Sequence, residues 1–441
     1  MWIRYLREFV EQEIAQKKEI GCDVTEIESR FSQTRKENRS DLERILAELE
    51  KIAPKPDFPY SEPSRLQEII ARRPRRLQRI ETTLSESELL DRIHGGWLGR
   101  CAGCLLGKPV EGRSRQQIEE WLRMADAYPL KHFFPPMSEL REDAPQWLKN
   151  WLSSGRTRGL LLGQIDHMPR DDDIDYTIIG LHILENYGPD FSTMNVGEAL
   201  LRLLPYWQVY GAEQAAYRNL VNGIYPPESA TYMNPYREFI GAQIRADVWG
   251  YVTPGLPDLA SELAYRDARL SHIRNGIYGE MLVSCMISAA FTTSDIEEVI
   301  NVGVSAIPRE TRLAEAVKDV MAWRKRYSDW GDAWVKVMEK YGHYNRTHVI
   351  NNLSLVLLGL LYGEGVYEKS ITVSVMGGLD TDCNGATVGS ILGVLLGAEA
   401  LPDKWVEPLN DLTESFVTGY NNSHISDLAK RTYEVAKKVA I

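Results

Sequence analysis

The sequence of 441 residues has few cysteines, and their arrangement excludes a protein held together by disulfide bonds. Only five are present, at positions 22, 101, 104, 285 and 383, an odd number scattered over the whole chain. Small disulfide-rich domains instead carry an even number of closely spaced cysteines. Cys101 and Cys104 form a C-x-x-C motif, but no second Cys or His pair stands at zinc-binding spacing. We therefore interpret both as small packing residues.

An excess of positive charge and long apolar stretches are also missing. The formal net charge is −11, which argues against nucleic acid or an anionic membrane as the main partner. No apolar run reaches the roughly 18–20 residues that a membrane-spanning helix needs. Residues 1–8 carry charges where a signal peptide would have its apolar core, so we expect a cytoplasmic protein.

Alternation of polar and apolar residues, which is typical of β-strands, is absent from the sequence, as is a repeat of solenoid length. Residues 1–50 have a charged, helical pattern, and the prolines between Pro54 and Pro63 interrupt it. Ser85 and Glu88 form a capping box that opens the next long helix. The sequence therefore predicts an all-α protein with a helical extension and proline-rich linker at residues 1–84. The main domain, a compact multi-helix unit, is predicted at residues 85–441.

Two segments carry glycine at every fourth position. The first has glycines at 95, 99, 103 and 107, and the second at 385, 389, 393 and 397. Residues four apart lie on one face of a helix, and each glycine inside a helix costs about 1 kcal/mol of propensity relative to alanine. Because close approach of another backbone explains such a bare face, we predict that these two helices pack together. If they run antiparallel, Glu111 lies close to Asp380 and Asp382.

Carboxylates are concentrated immediately before two predicted helices. One cluster is formed by the aspartates 171–173, with Asp175 close behind, and the second by Asp380 and Asp382. Asp173 is predicted to cap the helix that follows it. The positive end of a helix offsets only part of the repulsion between such closely spaced carboxylates. We therefore expect a bound cation to neutralise them.

The chemistry of the ligands on offer selects the cation. All of them are oxygen atoms except the thiol of Cys383. Hard cations such as Mg²⁺ and Mn²⁺ prefer oxygen, whereas structural zinc sites are built from Cys and His. Five or more carboxylates suit two ions better than one, and a two-ion centre can hold water beside the oxygens of a substrate. The sequence therefore predicts a dinuclear magnesium or manganese site.

These motifs resemble those of the ADP-ribosylglycohydrolase family, which includes the dinitrogenase-reductase-activating glycohydrolases. Residues 377–384, Gly-Gly-Leu-Asp-Thr-Asp-Cys-Asn, are similar to its C-terminal metal motif, and residues 171–177 to its Thr-Asp-Asp-Thr motif. Residues 103–111 resemble its N-terminal motif, residues 241–245 its substrate loop, and residues 270–272 a Leu-Thr-His stretch. The matching motifs occur in the same order as in the family.

The resemblance implies an all-α fold with two magnesium ions at the bottom of a cleft. It also implies hydrolysis of the bond between ADP-ribose and an acceptor such as arginine, on an ADP-ribosylated protein or small molecule. By position, six residues would hold the metal ions: Asp171, Asp172, Asp173, Asp380, Asp382 and Cys383. Asp382 would bridge the ions and Glu111 would position the substrate or water, which makes both candidate catalytic residues. Gly241, Arg245 and His272 would line the ADP-ribose side.

The chain departs from the family pattern at several positions. Asp171 and Ile174 stand where the Thr-Asp-Asp-Thr motif has its threonines, and Cys383 replaces a threonine or serine that supplies a hydroxyl ligand. A thiol is a soft and poor ligand for Mg²⁺. Ile240 stands where the family has an asparagine before Gly241. The carboxylates are all kept, but a second function stays open, the hydrolysis of a small-molecule or nucleoside-like glycoside.

Two further functions compete with these. The spacing of Asp171, Asp172 and Asp175 fits the D-D-x-x-D magnesium motif of class I terpenoid synthases, but the second acidic cluster lacks the spacing of their second metal motif. A non-catalytic ADP-ribose-binding protein on the same fold would have lost a metal carboxylate, and each is present here. We therefore predict a metal-dependent glycosidase.

Overall fold

The computed structural model describes residues 3–35 and 38–439, and the protein is all-α, as the sequence predicts. Helices make up 62% of it, and 21 α-helices lie within the described residues. They are α1 (Ile3–Glu19), α2 (Thr25–Gln33), α3 (Arg39–Lys51), α4 (Leu66–Ala71), α5 (Glu86–Gly107), α6 (Arg115–Met124), α7 (Gln146–Ser153), α8 (Asp172–Tyr187), α9 (Thr193–Leu203), α10 (Gly211–Val221), α11 (Asp247–Tyr251), α12 (Pro257–Ala268), α13 (Asn275–Ala290), α14 (Ile296–Val304), α15 (Arg312–Arg326), α16 (Trp330–Tyr341), α17 (Val349–Gly363), α18 (Tyr367–Met376), α19 (Thr381–Leu396), α20 (Asp403–Val406) and α21 (Ile425–Val439).

Short elements connect these helices. Over the described ranges, one two-stranded antiparallel sheet is formed by β1 (Leu412–Glu414) and β2 (Asn422–His424), with Leu412 opposite His424. The 3-10 helices are Lys108–Val110, Met137–Glu139, Tyr206–Gln208, Glu228–Ala230, Gln243–Arg245, Ala398–Ala400 and Glu407–Leu409. None of the described helices is both long enough and apolar enough to cross a membrane.

Helices α5 and α19 form the centre of the molecule, packed with their backbones in contact. A Cβ atom placed on Gly103 would lie 2.0 Å from the carbonyl oxygen of Gly385, and one on Gly389 would lie 2.1 Å from that of Gly99. Gly95 meets the Gly393 carbonyl in the same way. Since residue numbers rise along one helix as they fall along the other, the pair is antiparallel. The prediction from the glycine spacing is confirmed.

Other apolar helices enclose this pair. α13, α17 and α18 contact α19, and every residue of α13 is buried. Helices that are apolar on all faces belong in the centre of a large helical protein. The Tyr367 hydroxyl of α18 donates a hydrogen bond of 2.8 Å to the Gly99 carbonyl, a group that the bare glycine face leaves accessible. The α5–α19 pair is therefore enclosed on several sides.

The N-terminal helices α1–α3 share a hydrophobic cluster of their own, on which Tyr236 of the main part packs. The polar face of α1 is buried against the rest of the protein, where Arg237 pairs with Glu13 at 2.6 Å. Gln16 donates to Glu238 at 2.8 Å in the same interface. Buried charges are tolerated here because each has a partner.

The proline-rich segment after α3 follows the surface of the main part. The Ile80 N–H donates to the Gly255 carbonyl at 2.8 Å. Arg73 belongs to a basic patch formed by the arginines at positions 72, 73, 75 and 76, and it pairs with Asp258 at 2.8 Å. The patch is therefore partly engaged with the protein itself. The boundary between extension and main domain stays a prediction.

Candidate active site

The first acidic cluster lies at the N-terminus of α8, where the backbone N–H groups have no partner within the helix. Asp171 has an extended backbone (φ −146°, ψ 149°), and its Oδ1 accepts a hydrogen bond of 3.0 Å from the Asp173 N–H. Asp171 is therefore the cap, and the prediction that Asp173 caps this helix is wrong. Because Asp171 satisfies the backbone, the Asp173 carboxylate is available for other contacts.

The second acidic cluster begins α19, after a strained turn. Leu379 has φ +66°, a conformation that non-glycine residues rarely adopt, and its carbonyl accepts a bond of 3.0 Å from the Gly112 N–H. The Oδ1 of Asn352, in α17, accepts from the Asp380 N–H at 3.1 Å and from the Asn384 side chain at 2.9 Å. The turn is thus fixed from both sides, which sets the position of the carboxylates that follow.

Antiparallel packing brings Glu111, just past α5, to the start of α19. The Thr381 hydroxyl donates to the Gly107 carbonyl at 2.8 Å and joins the two helix ends. One carboxylate oxygen each of Glu111, Asp380 and Asp382 lies within 4.8 Å of the others. The prediction that these three carboxylates meet is confirmed.

The two acidic clusters also meet each other. Potential ligand atoms of Asp173, Asp382 and Cys383 lie within 4.8 Å of one another, and so do those of Cys104, Asp171 and Asp173. Since Asp382 belongs to the group around Glu111 as well, the groups form one continuous site. Asp172, the remaining predicted ligand, follows Asp171 in the chain and begins α8.

The buried carboxyl groups of this site favour the binding of a positive charge. Burial and the neighbouring Asp171 raise the pKa of Asp172 to about 8, and burial and Glu111 raise that of Asp382 well above its usual range. Asp173 Oδ2 and Asp382 Oδ1 are buried, and neither has a hydrogen-bond partner in the described part of the chain. Orphaned carboxylate oxygens of this kind are what a hard cation binds. The residues present therefore fit Mg²⁺ or Mn²⁺.

One lysine already neutralises part of the cluster. Lys108, in the short helix after α5, is hydrogen-bonded to Asp171 Oδ2. Although burial acts in the opposite direction, Lys108 holds the pKa of Asp171 below its usual value. Asp171 therefore stays ionised beside carboxyl groups that burial makes weaker acids.

The sulfur atoms near the site are poor ligands. Burial and Asp173 raise the pKa of the Cys383 thiol well above its usual value, and burial with Asp171 does the same for Cys104. Metals bind the thiolate, and both thiols remain protonated at neutral pH. The geometry thus brings Cys383 to the predicted position, and its chemistry makes it the weakest of the predicted ligands.

A buried arginine pairs with an aspartate of the first cluster, and it was not among the site residues predicted from the sequence. Arg100 of α5 is fully buried and pairs with Asp173 at 3.0 Å and with Asp247 at 2.8 Å. Its Nε also donates to the Thr177 hydroxyl at 2.8 Å. An arginine inside an otherwise glycine-rich and apolar helix was the available signal, because an unpaired buried charge is too unfavourable to persist.

Asp175 is held away from the metal cluster. It pairs with Arg170 at 2.8 Å and accepts a bond of 2.6 Å from the Ser415 hydroxyl. Its partners therefore make it a structural carboxylate, in agreement with its omission from the predicted ligands. Arg170 also donates to the Gln208 carbonyl at 2.7 Å, which ties the residues after α9 to the start of α8.

The three predicted substrate-binding residues meet at a different place, around Glu213 of α10. Arg245 pairs with Glu213 at 2.6 Å and with Asp267 at 2.7 Å, and the His272 ring lies 3.6 Å from Glu213. A Cβ on Gly241 would lie 2.4 Å from the same carboxylate. His272 is fully buried, which lowers its pKa well below the usual value and keeps it neutral. The structure brings these residues together, and their contact with substrate stays a prediction.

An aromatic groove lies next to this region, and no sequence pattern indicated it. Its volume is about 740 Å³, and its lining includes Tyr206, Trp207, Tyr210, Tyr217 and Tyr236. Trp207 is 59% exposed, and the Arg170 guanidinium lies 5.8 Å from the Tyr210 ring. Arg170, which pairs with Asp175 at the start of α8, therefore contacts one ring of the groove lining.

Comparison with known proteins agrees with this architecture. Residues 85–440 match the model of one protein family, described as ADP-ribosylglycohydrolase. Among curated proteins, none matches the sequence. A solved structure described as an ADP-ribosylglycohydrolase-related protein complex is similar over 80% of this chain and 100% of its own, with 18% identity and a TM-score of 0.51. At that identity the likeness shows the fold alone.

Proposed function

The chain belongs to the ADP-ribosylglycohydrolase family and is a glycosidase-type hydrolase, and from this premise we propose the bond that it cleaves. The bond is the N- or O-glycosidic bond between ADP-ribose and an acceptor such as an arginine side chain. The acceptor belongs to an ADP-ribosylated protein or small molecule.

One observation carries the proposal: Glu111 and the two acidic clusters converge in a site with orphaned carboxylate oxygens. Asp171, Asp172, Asp173, Asp380 and Asp382 would hold two Mg²⁺ or Mn²⁺ ions, with Cys383 beside them. When bound, the ions supply Lewis-acid chemistry. Asp382 is the candidate to bridge them because it belongs both to the group around Glu111 and to the group around Asp173.

Glu111 is suited to accept a proton. It lies exposed at the edge of the cluster, and its pKa is raised by partial enclosure and by Asp380. A carboxylate with a raised pKa is a stronger base than an ordinary glutamate. In the proposed reaction, Glu111 takes a proton from water as the water oxygen bonds to the anomeric carbon. The bond to the acceptor nitrogen breaks, and the proton that Glu111 took from water passes to that nitrogen, so Glu111 returns to its ionised form.

The aspartates have a second role in this reaction. Positive charge develops on the ribose ring as the glycosidic bond breaks. Carboxylates fixed in a buried site stabilise such charge more strongly than water does, because they do not have to reorient. Asp380 and Asp382 are both buried and both belong to the group around Glu111, so in this proposal their charge would lie beside the reacting carbon.

The aromatic groove is the candidate platform for the adenine base. Aromatic rings stack on nucleobases with about 1–3 kcal/mol per base. Trp207 is the most exposed of its rings. Gly241, Arg245 and His272 would then form the wall between groove and cleft. Replacement of Trp207 by alanine is expected to weaken ADP-ribose binding, whereas Trp207→Phe should retain most of it.

The hydrolysis of a small-molecule or nucleoside-like glycoside remains the second candidate. The sequence departures that suggested it, Ile174 and Ile240, both lie in the hydrophobic core. They therefore give no direct contact that would reject an ADP-ribosyl group. Turnover of simple ribosides with no turnover of ADP-ribosyl conjugates would favour this candidate.

Isotope labelling tests the proposed bond cleavage. Magnesium-loaded protein would be incubated with ADP-ribosyl-arginine in ¹⁸O-labelled water, and the products would be analysed by mass spectrometry. We expect one ¹⁸O atom in the released ADP-ribose and none in the arginine. The Asp382→Asn protein should release no ADP-ribose. Its matched control is Asp427→Asn, at an exposed carboxylate of α21, which should behave as the wild type does. Label in neither product, or cleavage of the diphosphate instead, would refute the proposal.

A further inference from the structure

The loop between α16 and α17 brings an exposed arginine to the candidate active site. Arg346 lies in this loop, and its Nη1 is 1.7 Å from the point where a Cβ on Gly112 would stand. The guanidinium therefore lies directly against the backbone that follows Glu111. A side chain at position 112 would displace it, so the glycine makes room for the arginine.

Arg346 differs from Lys108, Arg100 and Arg170 because no carboxylate of the described residues pairs with it. Lys108, Arg100 and Arg170 are each paired with an aspartate. Within the described ranges, no carboxylate oxygen lies within 4.0 Å of the Arg346 guanidinium. Its charge still acts on the cluster: burial raises the pKa of Glu111 and of Asp380, and Arg346 opposes part of that rise. A cation is thus held at the edge of the cluster and left open to an anion.

The backbone that carries this arginine is fixed to the metal motif. The side-chain amide of Asn352 donates to the Arg346 carbonyl at 2.8 Å, and its oxygen accepts from the Asp380 N–H at 3.1 Å. On the other side of the loop, Asn345 donates to Gln12 of α1 at 3.2 Å. A binding group is more effective when it is held in place before the ligand arrives. The N-terminal extension contributes to that placement.

We propose that Arg346 binds the diphosphate of the ADP-ribosyl substrate, an inference that rests on the proposed function. A guanidinium matches phosphate oxygens with two parallel hydrogen bonds, and it keeps its charge at any physiological pH. An arginine acceptor is itself cationic and is repelled by Arg346. The diphosphate is the anionic part of the substrate, so it is the group that this position favours.

The proposal is tested by ligand binding to metal-loaded protein. Isothermal titration with ADP-ribose would compare the wild type with Arg346→Ala and Arg346→Lys. Arg326→Ala, at the exposed end of α15, is the matched control. A hydrogen bond to a charged group corresponds to a loss of roughly 10- to 100-fold in affinity for Arg346→Ala. We expect Arg346→Lys to recover part of this loss and Arg326→Ala to bind as the wild type does.

A phosphate-free ligand separates diphosphate binding from a structural effect. Adenosine affinity should be the same in Arg346→Ala and the wild type. In turnover, Arg346→Ala should raise KM for ADP-ribosyl-arginine and leave kcat within about threefold, because the contact is made before and during the reaction alike. Turnover of ribosyl-arginine, which lacks the diphosphate, should not change.

Three results would overturn the inference: wild-type protein that does not bind ADP-ribose, unchanged ADP-ribose affinity in Arg346→Ala, or an equal loss for ADP-ribose and adenosine. A different result would refute the proposed function without refuting the role of Arg346. If the wild type binds ADP-ribose through Arg346 but releases none from ADP-ribosyl conjugates, the anion site stands and the hydrolysis proposal is wrong.

Discussion

Because α5 and α19 approach so closely, we predict that replacing one of their facing glycines by alanine destabilises the protein, even though alanine is the better helix former. A Cβ on Gly107 would lie 2.1 Å from the Thr381 carbonyl oxygen and 2.4 Å from the Asp382 nitrogen. These are backbone atoms, so no side chain can move aside. Overpacking of this kind costs about 1–3 kcal/mol, and the gain in helix propensity, about 1 kcal/mol, offsets only part of it.

Gly95→Ala is the matched variant at the opposite end of the same helix pair, where a Cβ would lie 2.2 Å from the Gly393 carbonyl. Both variants should lower the free energy of unfolding by up to about 2 kcal/mol in urea denaturation. Only Gly107→Ala should also weaken Mn²⁺ binding, since it displaces the residues that begin the metal motif. Gly197→Ala, in α9, serves as the control, because its Cβ would meet only the ends of two flexible side chains, Leu220 at 3.0 Å and Leu270 at 3.3 Å.

Three outcomes would refute this reasoning. One is that Gly107→Ala and Gly95→Ala are as stable as Gly197→Ala, which would mean that the helices separate without loss. Another is that both striped variants weaken Mn²⁺ binding equally, which would mean that the metal motif responds to global loosening. The last is that neither affects metal binding although both are destabilised.

Further predictions follow from the buried charges. Arg100→Met leaves Asp173 and Asp247 buried without their partner and should lower the free energy of unfolding by about 3–5 kcal/mol, whereas Arg100→Met combined with Asp247→Asn should recover part of that loss. Folding raises the pKa of Asp172 from 3.8 to about 8, so the metal-free folded state holds a proton that the unfolded state has lost. Its thermal stability should therefore fall as pH rises from 5 to 8, as followed by calorimetry. Burial also raises the pKa of Glu19 in α1 to about 8, so saturating Mg²⁺ should reduce the fall without abolishing it; a fall that Mg²⁺ does not change would contradict the assignment to Asp172. Cys383→Ser replaces a soft thiol with a hydroxyl, and titration calorimetry should show tighter Mg²⁺ binding; weaker binding would show that the sulfur is a ligand.

The glycine stripes and acidic clusters were readable in the sequence because they depend on local spacing. Glycines at every fourth residue lie on one face of a helix, and a second helix with the same spacing is the natural packing partner for that face. This spacing was sufficient to predict that Glu111 lies close to Asp382, although the two residues are far apart in the sequence. The all-α fold followed from the same periodicity.

Other parts of the site depend on packing that no local pattern encodes. Arg100 finds Asp247 only because α5 crosses the helix that carries it, and Arg346 reaches Gly112 only because Asn352 holds its loop against the metal motif. The cap of α8 was misassigned because consecutive aspartates are equivalent as capping residues until the tertiary structure brings one of them to Arg100 and Asp382.

The central claim is that the acidic cluster performs metal-dependent cleavage of an ADP-ribosyl bond. The most direct test is the release of free ADP-ribose from ADP-ribosyl-arginine with Mg²⁺, with Mn²⁺ and with a chelator, in wild-type and Asp382→Asn protein. We expect ADP-ribose release that requires Mg²⁺ or Mn²⁺ and that is lost in Asp382→Asn. Release that persists in the chelator or in Asp382→Asn would contradict it.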